Sequence, residues 1–159
     1  LYLTFKTLTA MLKIYDSKLL EIFALEEEDL ATHPIPLYES NVQAGFPSPA
    51  DDYVELSLDV LKFLVDKPYS TFCVKVKGNS MEGATIKDGS ILVVDRSKDV
   101  KNENIIIANL NGDFTVKRYR KQKGEVWLIP EHPAYDPVLV TEEMEFQIWG
   151  VVTFIINQP

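Results

Sequence analysis

Asn111-Gly112 is the strongest short hairpin signal in the chain. It separates two apolar, strand-like runs, Ile105–Leu110 and Phe114–Tyr119, and so requires the chain to double back there. The second run has a period of two. Phe114, Val116 and Arg118 fall on one face, while Thr115, Lys117 and Tyr119 fall on the other. The rest of the C-terminal half is written the same way. Thr71–Lys77 alternates, Lys87-Asp88-Gly89-Ser90 turns into Ile91-Leu92-Val93-Val94, and Lys123-Gly124 turns into Val126-Trp127-Leu128-Ile129. Pro130 and Pro133 interrupt the pattern before a long apolar strand over residues 146–156. Strands do not alternate with long helices, so a mainly antiparallel β core is expected rather than a doubly wound sheet.

The N-terminal third is less regular. Residues 1–15 alternate loosely at Leu1, Leu3 and Phe5, which suggests an edge strand; Met11 is an alternative start, and Leu1 follows processing or truncation on that reading. Leu19, Leu20, Ile22, Phe23 and Leu25 predict a short helix between Lys18 and Leu30, ended by Glu26-Glu27-Glu28-Asp29, whose charges oppose a helix C-terminus. His33-Pro34-Ile35-Pro36 and Gly45-Phe46-Pro47-Ser48-Pro49 bracket a segment that is neither a regular helix nor a central strand. Such an extended segment suits an ordinary linker, and it also suits a peptidase site, which pairs with backbone. Asp51 to Leu64 predicts a second short helix, with Val54, Leu58, Leu61 and Val65 at helical spacing, Asp51 or Asp52 as cap, and Lys67-Pro68 as its end.

With 159 residues the chain reads as one domain with a real core. Its formal net charge is −8, divided equally between residues 1–44 and residues 45–159. That balance argues against direct, non-specific nucleic-acid binding, which needs basic clusters to displace counterions from phosphates. The cluster from Arg118 to Lys123 reads as a solvated hairpin end. One cysteine, Cys73, excludes an internal disulfide and fits a reducing compartment. No apolar run approaches the roughly 20 residues of a membrane helix, so a cytoplasmic protein with no membrane association is expected. His33 and His132 both precede prolines, no metal-binding spacing exists, and Gly78, Gly83 and Gly89 stand too far apart to cradle a phosphate. No metal or cofactor is expected.

Two residues carry candidate chemistry. A serine hydroxyl is a weak nucleophile until a base takes its proton. His132 lies in a proline-flanked loop, which leaves a lysine as the base for Ser80. A lysine qualifies when burial away from acids lowers its pKa from about 10.4 to roughly 7–8. Lys117 meets that condition: Arg118 points to the opposite face, and Thr115 and Tyr119 flank the amine without a negative charge. Gly78 permits an unusual turn that exposes Ser80 and directs the backbone amides of Asn79 and Ser80 toward an oxyanion, with Met81 packed beneath. On spacing alone, a turn serine and a solvated strand lysine remain an adequate account of the pair.

At this point the sequence resembles a known family, the self-cleaving serine peptidases of the bacterial SOS response (the LexA/UmuD family), and its UmuD-like branch in particular. The resemblance covers about residues 42–156. It is carried by the segment Ala44-Gly45-Phe46-Pro47-Ser48-Pro49-Ala50-Asp51-Asp52-Tyr53-Val54-Glu55 and by Gly78-Asn79-Ser80-Met81. It continues through Asp88-Gly89-Ser90-Ile91-Leu92-Val93-Val94-Asp95, Gly112-Asp113-Phe114-Thr115-Val116-Lys117-Arg118 and Ile148-Trp149-Gly150-Val151-Val152. The resemblance implies a signal-peptidase-like antiparallel β core with a short helix and an extended N-terminal arm. It implies that Ser80 is the nucleophile, Lys117 the general base, and the bond between Ala44 and Gly45 the one cut. Residues 1–44 would then be a regulatory arm removed by self-cleavage, and residues 45–159 a peptidase and dimerisation domain.

The partners implied are a RecA filament on single-stranded DNA, which provokes cleavage, and a second copy of the chain. The homodimeric product would join the catalytic subunit of an error-prone translesion polymerase, a UmuC-like protein. Asn79 stands where an aspartate often precedes the serine, a departure that helps keep Lys117 neutral. The arm before Gly45 is longer than the family's and unlike it. A LexA-like transcriptional repressor inactivated by self-cleavage is the alternative. It needs a basic helix-turn-helix, which a 44-residue segment of net charge −4 with prolines at 34 and 36 does not supply. A signal-peptidase-like enzyme acting in trans would want a membrane anchor, and a non-enzymatic dimerisation module would never cleave.

Overall fold

The computed structural model describes residues 13–16, 20–24, 35–39 and 54–159. Eleven strands are described: β1 (Lys13–Asp16), β2 (Leu20–Ala24), β3 (Ile35–Glu39), β4 (Val54–Leu58), β5 (Thr71–Val76), β6 (Ile91–Asp95), β7 (Ile105–Leu110), β8 (Asp113–Gln122), β9 (Glu125–Ile129), β10 (Val138–Val140) and β11 (Phe146–Ile156). One helix, α1 (Val60–Leu64), joins β4 to the rest. Nine strands form one sheet in the order β1-β2-β5-β6-β11-β7-β8-β9-β10, and β3 pairs only with β4. Every pairing is antiparallel. The mainly β architecture expected from the turn signals is the one observed.

The two hairpins that carry β8 follow from local sequence. Asn111 and Gly112 adopt φ of 53° and 90°, and Lys123 and Gly124 adopt 51° and 88°. Two successive left-handed residues give the turn whose twist matches that of paired strands. β7 and β8 therefore pair from Ile105↔Arg118 to Leu110↔Asp113, and β8 and β9 from Arg118↔Ile129 to Gln122↔Glu125. β11 binds the two halves of the sheet together. Its first residues pair with β7 and its last with β6, with register shifts on both sides where the strand passes from one neighbour to the other.

Alternation along β5 divides the core. Phe72, Val74 and Val76 enter the main cluster with Leu20, Ile22, Met81, Ile86, Leu92, Val94, Ile107, Phe114 and Val116. Cys73 faces the other way, against Val65 and Val93 beneath α1. It is a buried packing residue whose thiol is pushed up to about 11 by burial, as its place in an apolar strand suggested. A third cluster holds Ile106, Ala108, Leu128 and Val151. The open end of the main cluster is covered by Arg96, whose guanidinium carbon stacks 4.7 Å from the rings of both Phe72 and Trp149.

Of the two expected helices, the first is a strand where it is described, and the second is a strand in its first part and a helix in its last. Residues 20–24, whose apolar spacing suggests a helix, form β2, paired along its length with β5 from Leu20↔Val76 to Ala24↔Phe72. A period of two puts Leu20 and Ile22 together in the main cluster at 1% and 0% exposure, worth roughly 1.5–3 kcal/mol each. The exposed edge of β5 decides the matter, because a strand satisfies it and a helix does not. Residues 54–58 of the second expected helix form β4 instead, paired from Ile35↔Leu58 to Glu39↔Val54. Only Val60–Leu64 is helical, and its cap is Asp59, whose Oδ1 accepts from the Lys62 N–H at 3.1 Å. The expected caps Asp51 and Asp52 lie outside the described residues. Among the described residues β3 pairs on one side only, a setting that tolerates Pro36. Leu1, Leu3 and Phe5, on which the expected edge strand rested, lie outside the described residues; β1, which begins at Lys13, is the first strand of the sheet order.

Candidate active site

β5 ends at Val76, whose backbone N–H donates to the Ser90 carbonyl and whose carbonyl accepts from Gly89, each at 2.9 Å. Two residues on, Gly78 has φ of +100°, a conformation that side chains disfavour, and its N–H donates to Asp88 Oδ1 at 2.7 Å. The chain thus turns sharply at the strand end and enters the loop of Asn79, Ser80 and Met81. Met81 and Ile86, exposed by 2% and 0%, plug into the main cluster and pin the loop from below. The packing inferred for Met81 is the one found.

A second clamp holds the loop from the side. The Glu131 N–H donates to the Ser80 carbonyl at 2.8 Å, and the Gly83 N–H donates to the Glu131 carbonyl at 2.7 Å. The approach is so close that a Cβ on Gly83 would sit 2.6 Å from that carbonyl oxygen. The Glu131 carboxylate is in turn ion-paired with Arg118, whose other arm donates to the Glu103 carbonyl at 2.6 Å. Arg118 is on β8, next to Lys117. One strand therefore carries the lysine and, through Arg118 and Glu131, holds the serine loop against it. Arg118 lies on the face opposite Lys117 as read from the sequence, but it is half-buried and paired rather than simply solvated.

Lys117 Nζ lies 3.1 Å from Ser80 Oγ, 2.9 Å from Thr115 Oγ1 and 2.9 Å from the Val116 carbonyl. Thr115 reaches the amine because residues two apart on a strand share a face. The ring of Tyr119 packs against the third cluster. Among the described residues no carboxylate comes within ion-pair distance of Nζ. Burial lowers the Lys117 pKa from 10.5 to about 8. An ammonium has three donors, whereas a neutral amine has two and a lone pair. When the two donors go to Thr115 Oγ1 and the Val116 carbonyl, the lone pair is left for the Ser80 hydroxyl proton. The arrangement can therefore generate a serine nucleophile near neutral pH. Among the described residues no acceptor takes the N–H of Asn79 or Ser80, so both remain available to a developing oxyanion.

The structure brings Asn79, Ser80 and Lys117 together. Ala44 and Gly45 lie outside the described residues, in the connection 40–53 between the paired strands β3 and β4. Sequence reasoning missed two residues that shape the site. Glu131 has no local signature, since it sits between Pro130 and His132 in a proline-flanked loop. Tyr135, from the same loop, donates its hydroxyl to Asn79 Oδ1 at 2.7 Å and meets His132 edge to face. The only hint was that this loop is rich in polar and aromatic residues between two prolines.

Comparison with known proteins places the chain in a family. Residues 36–153 match the family described as Peptidase S24-like. The protein SamA of Salmonella typhimurium is 39% identical over 132 residues, which cover 83% of this chain and 91% of SamA. The protein MucA of Escherichia coli is 38% identical over 129 residues, covering 80% of this chain and 88% of MucA. The LexA repressor of Bordetella pertussis is 35% identical over 135 residues, 80% of this chain and 62% of that repressor. With most of its length matched and its relatives matched over most of theirs, the chain belongs to the Peptidase S24-like family, as a UmuD-like self-cleaving serine peptidase.

Proposed function

We propose that Ser80 is the nucleophile and Lys117 the general base, and that the bond they cut is Ala44–Gly45 of the chain itself. The observation that carries the assignment is the 3.1 Å approach of Lys117 Nζ to Ser80 Oγ, with the amine half-buried and its pKa lowered to about 8. Neutral Lys117 takes the hydroxyl proton as Ser80 Oγ attacks the Ala44 carbonyl carbon. The oxyanion is met by the N–H groups of Asn79 and Ser80. Collapse breaks the C–N bond, and Lys117 returns its proton to the departing Gly45 amine. Water then attacks the acyl carbon with Lys117 again as base, which frees Ser80 and leaves a carboxylate on Ala44.

The pairing of β3 with β4 supports a tethered substrate. It holds the two ends of the connection 40–53 beside each other, and because the segment is tethered 35 residues before Ser80 in the same chain, a high effective concentration removes the need for a tight pocket. Small residues at both positions let the chain kink into a narrow site. Family membership supports the wider reading. A RecA filament on single-stranded DNA favours the conformer with the segment in the site, and the homodimeric cleavage product serves as an accessory subunit of an error-prone translesion polymerase.

Incubation at about pH 10 without any partner should yield two fragments divided between Ala44 and Gly45 on intact mass spectrometry. Cleavage persisting undiminished in Ser80→Ala or Lys117→Ala would sink the dyad. Addition of RecA filaments at neutral pH should accelerate cleavage of the parent; no acceleration would remove that partner while leaving the dyad in place.

A further inference from the structure

We infer that cutting the Ala44–Gly45 bond does not remove the N-terminal segment: β1 and β2 stay in the sheet as a non-covalently held ribbon, and the product is a nicked, two-chain protein. The inference rests on the scission proposed above and on where β2 lies. β2 belongs to the part of the chain before the cut, yet it pairs with all but the first residue of β5, which belongs to the part after it. β1 pairs on its outer side.

The contact is a core contact. Leu20 and Ile22 are exposed by 1% and 0%, and they share the main cluster with Phe72, Val74, Val76 and Met81. Leu20 is paired with Val76, two residues before the Gly78 turn, and Glu21 forms an ion pair with Lys77 at 3.2 Å. The ribbon therefore underlies the nucleophile loop. Its departure would strip a row of backbone partners from β5 and open the apolar floor on which Met81 rests. Nothing in hydrolysis at Ala44–Gly45 alters these contacts, because the bond lies beyond β3 in the chain. A partner that needs the β5 edge has to displace this strand.

The test uses the full chain after alkaline self-cleavage. Denaturing mass spectrometry first confirms two fragments. Native mass spectrometry and size exclusion at low-micromolar protein should then return one species containing both, with the mass of the parent plus one water per chain. Fragment 1–44 eluting separately, or precipitating away from 45–159, would overturn the inference. Ile22→Ala should weaken retention at least ~30-fold, the lower bound for emptying a fully buried isoleucine site; retention unchanged in that variant would overturn it too.

A second arm keeps this inference separable from the cleavage assignment. In a Ser80→Ala chain, residues 40–47 are replaced by the recognition sequence of an added protease. Retention after that nick, with no alkaline cleavage of the parent, would leave the held ribbon standing and sink the self-cleavage site. Release after that nick would sink the ribbon however the parent cleaves.

Discussion

If Ser80 and Lys117 act as proposed, the pH dependence of self-cleavage follows from the environment of a single amine. Only a neutral Lys117 can take the Ser80 proton, so the rate below its pKa should track the neutral fraction. With the pKa lowered from 10.5 to about 8 by burial, about a tenth of molecules carry the neutral amine at pH 7 and about nine-tenths at pH 9. The first-order rate should therefore rise about tenfold over those two units and level off above about pH 9. Docking of the substrate segment excludes more water and lowers the pKa further, which can only flatten that rise. A lysine at its ordinary value would give about a hundredfold rise over the same interval and would still be climbing past pH 10. Intact mass spectrometry of timed samples, in buffers of constant ionic strength from pH 6 to pH 10.5, separates the two outcomes. A log-linear increase of unit slope through pH 10 would refute the claim that the site holds Lys117 partly neutral. No dependence on pH at all would remove it as the base.

Lys117→Met should abolish cleavage yet stabilise the fold. Because the folded pKa lies below the unfolded one, the unfolded chain binds more protons between about pH 8 and 10.5, and parent stability rises with pH across that window. The advantage of methionine is accordingly full below pH 8, about 1–2 kcal/mol after allowing for solvent at a half-buried amine, and gone by pH 10.5; urea denaturation at pH 7 and pH 10.5 measures it. Thr115→Val removes one acceptor of Nζ, so the plateau rate should fall about tenfold or more while the midpoint moves to lower pH, because the ammonium loses more than the amine. Gly83→Ala forces the serine loop away from the Glu131 carbonyl and should cost about 1–3 kcal/mol by thermal melting, together with slower cleavage. Tyr135→Phe deletes the donor to Asn79 Oδ1 and should slow cleavage about threefold to tenfold while moving the pH midpoint little, since the hydroxyl does not touch the amine.

What could be read from the sequence was what neighbouring residues decide among themselves. Asn111-Gly112 sets the β7–β8 register, and that register with the two-residue period places Thr115 and Lys117 on one face. Gly78 announces the turn that carries Ser80. By contrast, residues 19–25 are apolar at nearly every position, so periods of 2 and 3.6 fit them equally; the free edge of β5, some fifty residues later, chooses the strand. Val54, Leu58, Leu61 and Val65 mimic a helix face, but β3 captures the first half as a ribbon strand and Asp59 starts the helix late. Glu131 is the clearest case of what a local pattern cannot carry. Its backbone holds Ser80 and Gly83 and its carboxylate is held by Arg118, three contacts that exist only after β8 and β9 have paired. The identity of the reacting groups is thus written locally, whereas their 3.1 Å separation depends on hairpin closure. It follows that a variant of Glu131 should separate serine from lysine without changing either, leaving a folded chain in which the amine keeps Thr115 but loses its nucleophile.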